Sequence, residues 1–147
     1  YTSVSNLLKE DILDNQFEIE YLNGLRTEAT HLSTGTKLIT DAPLDNKGQG
    51  RSFAPTDLLA VSVGTCMITT MGIAADQIGV ELGKVTCSVK KEMNPKPRRL
   101  AKLTIKINFH DDIPDSNKRS LELSALNCPA HKSLSADVEQ VTEFNYL

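Results

Sequence analysis

The sequence predicts an α+β domain in which antiparallel sheets wrap a central apolar helix. Residues 58–75 carry no charge but include serine, threonine and glycine, which favours a buried core helix over a membrane span. On both sides of this stretch, apolar and polar residues alternate as they do in half-buried strands. Because 147 residues make about one domain's length, we predict a single domain over residues 1–147.

Three strands are predicted before the central helix. Apolar and polar residues alternate over 17–22, and the hairpin-forming pair Asn23-Gly24 leads into a second extended segment at 25–32. These two strands are expected to pair antiparallel. A Ser-Thr-Gly turn then precedes a third strand at 36–40.

The segment 41–54 is predicted to be a loop, because proline, asparagine and glycine residues cluster there. It is longer than most connections in compact domains. Long loops often carry functional residues, and a surface excursion without such a role is the alternative. The sequence leaves both interpretations open.

The central helix is predicted to start at Pro55 or Thr56. Asp57 falls in its first turn, where the helix dipole stabilises a negative charge. The apolar residues of the helix spread around most of its circumference. A helix of this kind needs cover from a sheet or from a partner subunit.

Five further elements are predicted after the helix, which ends near Gly79. Prolines separate the two long strands and open both of the later helices. In chain order, these elements are strands at 80–93 and 100–109, a helix at 114–127, a short helix from Pro129 and a strand at 138–146.

Charge and cysteine content exclude several classes of protein. The chain has 19 Asp and Glu residues against 16 Lys and Arg, and its net charge of −3 argues against binding to nucleic acid or to a membrane surface. Three cysteines do not make a disulfide scaffold, and residues 1–4 lack the pattern of a signal peptide. We therefore expect a protein of the reducing cytoplasm whose partners are small molecules or other proteins.

Two of the cysteines have different surroundings. Cys66 lies near the middle of the uncharged stretch, whereas Cys128 directly precedes Pro129. Because proline favours the first helical position, Cys128 is expected at the N-cap, where the helix dipole would stabilise a thiolate. A thiol within an apolar helix and a second thiol before a proline suggest a redox pair.

Three parts of the chain together resemble the OsmC/Ohr family of thiol-dependent hydroperoxide reductases. They are the segment 55–66, the pair Cys128-Pro129 and the segment 24–29. In that family, a proline and an acidic residue begin a central helix, small residues precede a cysteine, and a second Cys-Pro lies far downstream. The resemblance covers roughly residues 17–147 and implies an OsmC-like fold and an intertwined homodimer that packs two central helices together.

The resemblance implies that Cys66 is the peroxidatic thiol and Cys128 the resolving thiol. The Cys66 thiolate would attack the distal oxygen of an organic hydroperoxide, and the resulting sulfenic acid would condense with Cys128. A thiolate in an apolar helix needs a nearby cation, and the family pattern supplies Arg26. A dithiol, which in related enzymes is a lipoyl-bearing protein, would return the electrons, so no metal, flavin or haem is needed.

The chain departs from the family pattern at Thr56, where the hydroperoxide reductases have a glutamate that supports the arginine. Asp57, the next residue, matches the acidic position of other branches and is either a shifted partner of Arg26 or a first-turn helix acid. The alternative function is therefore a non-catalytic protein of the same fold that binds a small hydrophobic molecule or senses oxidants.

Each of these residues also has a purely structural interpretation. Cys66 could be a small buried hydrophobic residue, and Cys128 a simple N-cap. Arg26 could form a surface ion pair with Glu28. Cys87 falls on the apolar face of its predicted strand, so we expect it to be structural.

His131 is a candidate metal ligand, because it follows Cys128 at the spacing Cys-x-x-His. Cys66 would supply a third ligand, but structural zinc sites normally take four cysteine or histidine ligands. The other two histidines have no paired spacing that would recruit them. We therefore predict no metal site, with His131 exposed on the last short helix.

Overall fold

The computed structural model describes residues 15–147, so the expectations that involve residues 1–14 lie outside the described part of the chain. The contacts divide the chain into two compact units, one ending at Pro55 and the other spanning Thr56–Leu147. The single domain over residues 1–147 stays a prediction.

The first unit contains a three-stranded antiparallel sheet. Its strands are β1 (Phe17–Asn23), β2 (Arg26–His31) and β3 (Thr36–Asp41), in that spatial order. The β1–β2 turn places Asn23 and Gly24 in the left-handed region, which these two residue types tolerate best. The three predicted strands and their antiparallel pairing are confirmed.

The loop that follows β3 folds back tightly on itself. It contains a short 3₁₀ turn at Leu44–Asn46, and Phe53 forms an isolated parallel bridge with Thr40. A Cβ at Gly48 would overlap the backbone of Ala42, so only glycine fits at this close approach. The predicted loop is confirmed, and backbone contacts hold it against the end of the sheet.

The second unit combines the long helix α1 (Pro55–Ile78) with a second three-stranded sheet. Strands β4 (Val85–Pro95) and β5 (Arg98–Phe109) form a long antiparallel hairpin. The predicted first strand began at residue 80, but the strand starts later because Gly83 adopts a positive φ of 63° and turns the chain. The central helix and the long hairpin are confirmed.

The last strand departs from the antiparallel pairing that we predicted for the sheets. Strand β6 (Glu139–Tyr146) pairs parallel with β5 at the edge opposite to β4. Between β5 and β6 lie α2 (Asp115–Leu126) and α3 (Pro129–Ser133), which return the chain to the starting end of β5. A helical crossover of this kind is what a parallel connection requires.

One face of α1 lies in the hydrophobic core of the second unit. Although α1 is long and apolar enough to cross a membrane, its core face packs with β5 and α2. The prediction of a core helix is confirmed. The fully buried or nearly buried members of this core include Val63, Met67, Met71, Leu103, Ile105, Ile107, Phe109, Leu121 and Ala125.

Gly64 allows α1 to approach β4 closely. A Cβ at this position would lie 3.0 Å from Cγ2 of Val89 and 3.2 Å from Sγ of Cys87. Cys87 thus packs against the helix, and burial raises the pKa of its thiol, in agreement with the structural role that we predicted.

We expect Gly64→Val to lower the free energy of unfolding by about 1–3 kcal/mol, because the added methyl groups overpack this contact. The control is Gly72→Ala on the same helix, where a Cβ would meet nothing within 4 Å. The control should stabilise the protein by up to about 1 kcal/mol through helix propensity. Urea unfolding measures both, and equal stability of Gly64→Val and wild type would contradict the close approach.

Candidate functional site

Cys66 lies half-buried at the middle of α1 and packs against the core. The hydroxyl groups beside it are bonded to the helix itself. Oγ1 of Thr65 donates to the carbonyl oxygen of Val61 at 2.9 Å, and Oγ1 of Thr69 donates to that of Thr65 at 2.8 Å. These two hydroxyl donors are therefore already used by the helix backbone.

Cys128 is fully buried at the N-cap of α3. Its Sγ accepts a hydrogen bond from the backbone N–H of His131 at 3.3 Å, and Pro129 takes the first helical position. The predicted N-cap position is confirmed.

Cys66 packs against the hydrophobic core that contains Cys128, and the two thiols interact. Burial raises the pKa of the Cys128 thiol most, and the neighbouring Cys66 side chain raises it further. The backbone N–H groups of His131 and Ala130 lower this pKa, but burial and the neighbouring Cys66 raise it by more. The expected stabilisation of a Cys128 thiolate is therefore wrong, because desolvation exceeds the effect of this short helix. The raised pKa favours the protonated thiol of Cys128 beside the Cys66 side chain.

Arg26, in the first unit, is held by a buried carboxylate. Its Nε donates to Oδ1 of Asp41 at 2.9 Å, and its Nη2 lies 3.5 Å from Oδ2. Oδ2 also accepts the backbone N–H of Arg51 at 3.0 Å. Glu28, the partner in the surface-pair interpretation, binds Lys37 at 2.7 Å.

Asp41 was missed by the sequence reasoning. The signal that could have revealed it is the register of the β2–β3 hairpin, which places Asp41 directly opposite Arg26. Asp41 is only 3% exposed. Its carboxylate binds both the guanidinium of Arg26 and the backbone N–H of Arg51, so it holds the guanidinium against the loop.

Asp57 pairs with a lysine at the start of α1. Its Oδ1 lies 2.6 Å from Nζ of Lys91, and the same Nζ donates to Oγ1 of Thr56 at 2.9 Å. The Lys91 side chain is only 18% exposed. The position of Asp57 supports the first-turn interpretation, and its pairing with Arg26 stays a prediction. Lys91 was also missed, since nothing in its local sequence points towards the helix.

His131 is half-buried rather than exposed as predicted. Its carbonyl oxygen accepts a hydrogen bond from Nε2 of Gln140 at 2.9 Å, which ties α3 to β6. Its Nδ1 is buried without a hydrogen-bond partner. Within residues 15–147, no three His, Cys, Asp or Glu side chains are grouped so that they could hold a metal ion.

The chain is similar in sequence and in fold to known proteins. The model of the OsmC-like protein family matches residues 48–143. A solved structure from Psychrobacter arcticus, of a protein named for osmotic stress induction and a detoxification response, is 37% identical in sequence. The alignment covers 89% of this chain and 96% of that chain, with a TM-score of 0.85.

More distant structures share the fold. An OsmC-like protein from Mycoplasma pneumoniae has 14% identity and a TM-score of 0.74, over 89% of this chain and 95% of that chain. The organic hydroperoxide resistance protein OhrB of Bacillus subtilis has 16% identity and a TM-score of 0.64, over 88% and 97%. Among curated proteins, no sequence matches this chain. The α+β fold that the sequence predicts is confirmed, and the chain belongs to the OsmC-like protein family.

Proposed function

We propose that this protein reduces organic hydroperoxides to alcohols through the thiols of Cys66 and Cys128. The observation that carries the proposal is the proximity of these side chains, which are far apart in sequence: Cys66 packs against the core that contains Cys128 and acts on the pKa of its thiol. One thiol is half-exposed on α1, and the other is buried and keeps its proton. This asymmetry suits a pair in which one sulfur reacts first and the other resolves the product.

The reaction that we propose has three steps. First, the Cys66 thiolate attacks the distal peroxide oxygen, an S–O bond forms as the O–O bond breaks, and Cys66 becomes a sulfenic acid. The departing alkoxide takes a proton from solvent and leaves as the alcohol. Second, the Cys128 sulfur attacks the Cys66 sulfenic acid, loses its thiol proton and releases water as the disulfide forms. Third, a dithiol such as a lipoyl-bearing protein reduces the disulfide by thiol exchange. The two thiols supply both electrons that reduce the peroxide, so the reaction needs no cofactor.

In this proposal, Arg26 orients the Cys66 thiolate and the departing oxygen, as the family resemblance implies. A guanidinium has five N–H donors, and Asp41 engages only its Nε and Nη2 groups. The remaining donors can bind a developing anion without giving up the pair with Asp41. Asp57 would support the start of the helix that carries Cys66.

We also propose that the protein acts as an intertwined homodimer in the reducing cytoplasm. On the face of α1 away from the core, Leu59, Val61 and Ile73 are exposed. The hydroxyl groups on this face are bonded to the helix backbone, so a second copy of the helix can cover them without leaving donors unsatisfied. The other partners are the hydroperoxide and the dithiol, with no role for nucleic acid or membrane.

The alternative of a binding or sensing protein is favoured by one observation. At the position where the hydroperoxide reductases have a glutamate, Thr56 accepts a hydrogen bond from Lys91. A sensor would form the disulfide once and would not turn over. A catalyst would consume peroxide continuously in the presence of a dithiol.

The test begins with reduced protein and one equivalent of cumene hydroperoxide. We expect a disulfide between Cys66 and Cys128, with Cys87 free, because Cys66 interacts with Cys128 whereas Cys87 packs against α1 at Gly64 with a pKa raised by burial. Peptide mapping locates the bridge, and added dihydrolipoamide then tests for continuous consumption of peroxide. A bridge to Cys87, or no bridge, would contradict the proposal, and a bridge without turnover would support the sensor.

A further inference from the structure

Buried polar atoms without a hydrogen-bond partner lie in the two elements that follow Cys128. Among residues 15–147, these atoms are Nδ1 of His131, Oε1 of Gln140 and Oγ1 of Thr142. His131 belongs to α3, and the other two belong to β6, to which Gln140 ties α3. Because burial of an unpaired polar atom costs free energy, this cluster calls for a role.

His131 is held next to the Cys128 thiol by the cap of α3. Its backbone N–H donates to Sγ of Cys128 at 3.3 Å, and its carbonyl oxygen accepts from Nε2 of Gln140 at 2.9 Å. Nδ1 is separated from that backbone nitrogen by four covalent bonds and so lies within about 5 Å of it. In a capping box, the side chain at this helical position reaches back to the N-cap residue. The imidazole and the thiol thus share one turn of the chain.

The resolving step creates a need for a proton acceptor at this place. The Cys128 thiol must lose its proton when its sulfur attacks, but the side chain is fully buried and its raised pKa favours the protonated form. Bulk water does not reach a fully buried thiol. A neutral imidazole has one nitrogen that accepts a proton, and Nδ1 of His131 has no competing partner.

Other titratable groups near Cys128 are turned away or engaged. Lys132, the next residue after His131, is exposed. The carboxylates of β6 lie on the opposite face of the strand from Gln140 and Thr142, because successive side chains alternate. Residues 58–75 of α1 carry no charge. The carboxylates of the surrounding elements pair as follows: Glu139 with Lys102, Glu143 with Lys106, Asp137 with Arg99, and Glu122 with the Tyr146 hydroxyl.

We propose that the imidazole of His131 is the base of the resolving step, an inference that rests on the proposed function for its place in the reaction. Nδ1 takes the thiol proton of Cys128 as that sulfur attacks the Cys66 sulfenic acid. The S–S bond forms, the S–O bond breaks, and the imidazolium gives the proton to the departing hydroxide, which leaves as water. Gln140 is a positioning residue, because it binds the carbonyl oxygen of His131.

The experiment compares His131→Gln with the control His110→Gln. The imidazole of His110 bonds to Thr86 through Nε2 at 2.8 Å, at the far end of β5 from the start of β6. Each reduced protein is mixed with cumene hydroperoxide, and dimedone trapping with mass spectrometry follows the loss of the Cys66 sulfenic acid.

We expect His131→Gln to slow the loss of sulfenic acid about a hundredfold, because the Cys128 proton loses its acceptor. Oxidation of Cys66 should change less than about twofold, which also shows that the variant is folded. His110→Gln should leave both rates unchanged. His131→Asn, a smaller replacement, repeats the test and should give the same result.

The pH profile distinguishes a base from a residue that only packs. In the wild type, the resolving rate should rise with pH and level off once the imidazole is unprotonated. In His131→Gln, it should continue to rise as the Cys128 thiol ionises, because the pKa of that thiol is raised. A wild-type rate in His131→Gln, or a lower rate with the wild-type profile, would overturn the inference.

A second measurement needs no peroxide and so separates this inference from the proposed function. In a Cys87→Ser background, Cys66 attacks dithionitrobenzoate and releases one thionitrobenzoate, and Cys128 then attacks the mixed disulfide, loses its proton and releases the other. His131→Gln should slow only the second release, again about a hundredfold. That result without any oxidation by hydroperoxides would uphold the base while the proposed reaction fails. A second release that is absent in the wild type, or unchanged in His131→Gln, would show that His131 is not the base.

Discussion

Replacing Cys66 with serine should lower dithiol-dependent turnover of cumene hydroperoxide by at least about a thousandfold, because the attacking sulfur is lost. Cys128→Ser should retain the first oxidation and lose the disulfide. Its Cys66 sulfenic acid should therefore persist and react with dimedone. Stopped-flow oxidation of each reduced variant, followed by mass spectrometry, measures the two steps separately.

Cys87→Ser is the matched control for these two variants. Cys87 has a pKa raised by burial and packs against α1 at Gly64, so its replacement should leave both steps nearly unchanged. Comparable losses in Cys87→Ser and Cys66→Ser would mean that disturbance of α1, rather than removal of the reacting sulfur, explains the effect. Full activity in Cys128→Ser would remove Cys128 from the resolving role.

The elements that the sequence predicted well depend on local patterns. The first hairpin follows from Asn23-Gly24, which can adopt the left-handed conformations of its turn. The N-cap at Cys128 follows from the proline after it. The central helix follows from its unbroken uncharged stretch. Each of these depends on residues that are close together in the chain.

The features that the sequence did not reveal depend on long-range pairing. Strand β6 pairs parallel with β5 because α2 and α3 return the chain to the starting end of β5. No local sequence pattern predicts this return. Lys91 reaches Thr56 and Asp57 from a strand about 35 residues away. The pKa direction of Cys128 also depended on the fold, because its burial outweighs the cap that the sequence predicted.

Two cations, Arg26 and Lys91, each pair with a carboxylate of their own. Arg26 has the buried carboxylate of Asp41, and Lys91 has the carboxylate of Asp57. Each unit therefore balances its own cation with a carboxylate of the same unit. Thr56 stands where the family resemblance implies a glutamate, but Arg26 still has a counter-charge from Asp41. The proposed thiol chemistry therefore does not require that glutamate.

Arg26→Ala is expected to slow oxidation of Cys66 by cumene hydroperoxide about a hundredfold, because the thiolate and the departing oxygen lose their oriented donors. Arg26→Lys keeps the charge without the planar fork and should recover only part of this rate. Stopped-flow measurement of the second-order rate constant compares the three proteins.

Arg26→Ala should also lower the free energy of unfolding, since it leaves the buried Asp41 carboxylate without its guanidinium. The Arg26 side chain is 35% exposed and solvent screens the pair, so we expect a loss of about 1–2 kcal/mol in urea unfolding. Asp41→Asn is the matched control, because it removes the counter-charge but keeps the arginine. It should destabilise the protein and retain much more of the oxidation rate than Arg26→Ala. If Arg26→Ala lost stability while Cys66 was oxidised at the wild-type rate, Arg26 would serve only the first sheet and would have no part in the thiol chemistry.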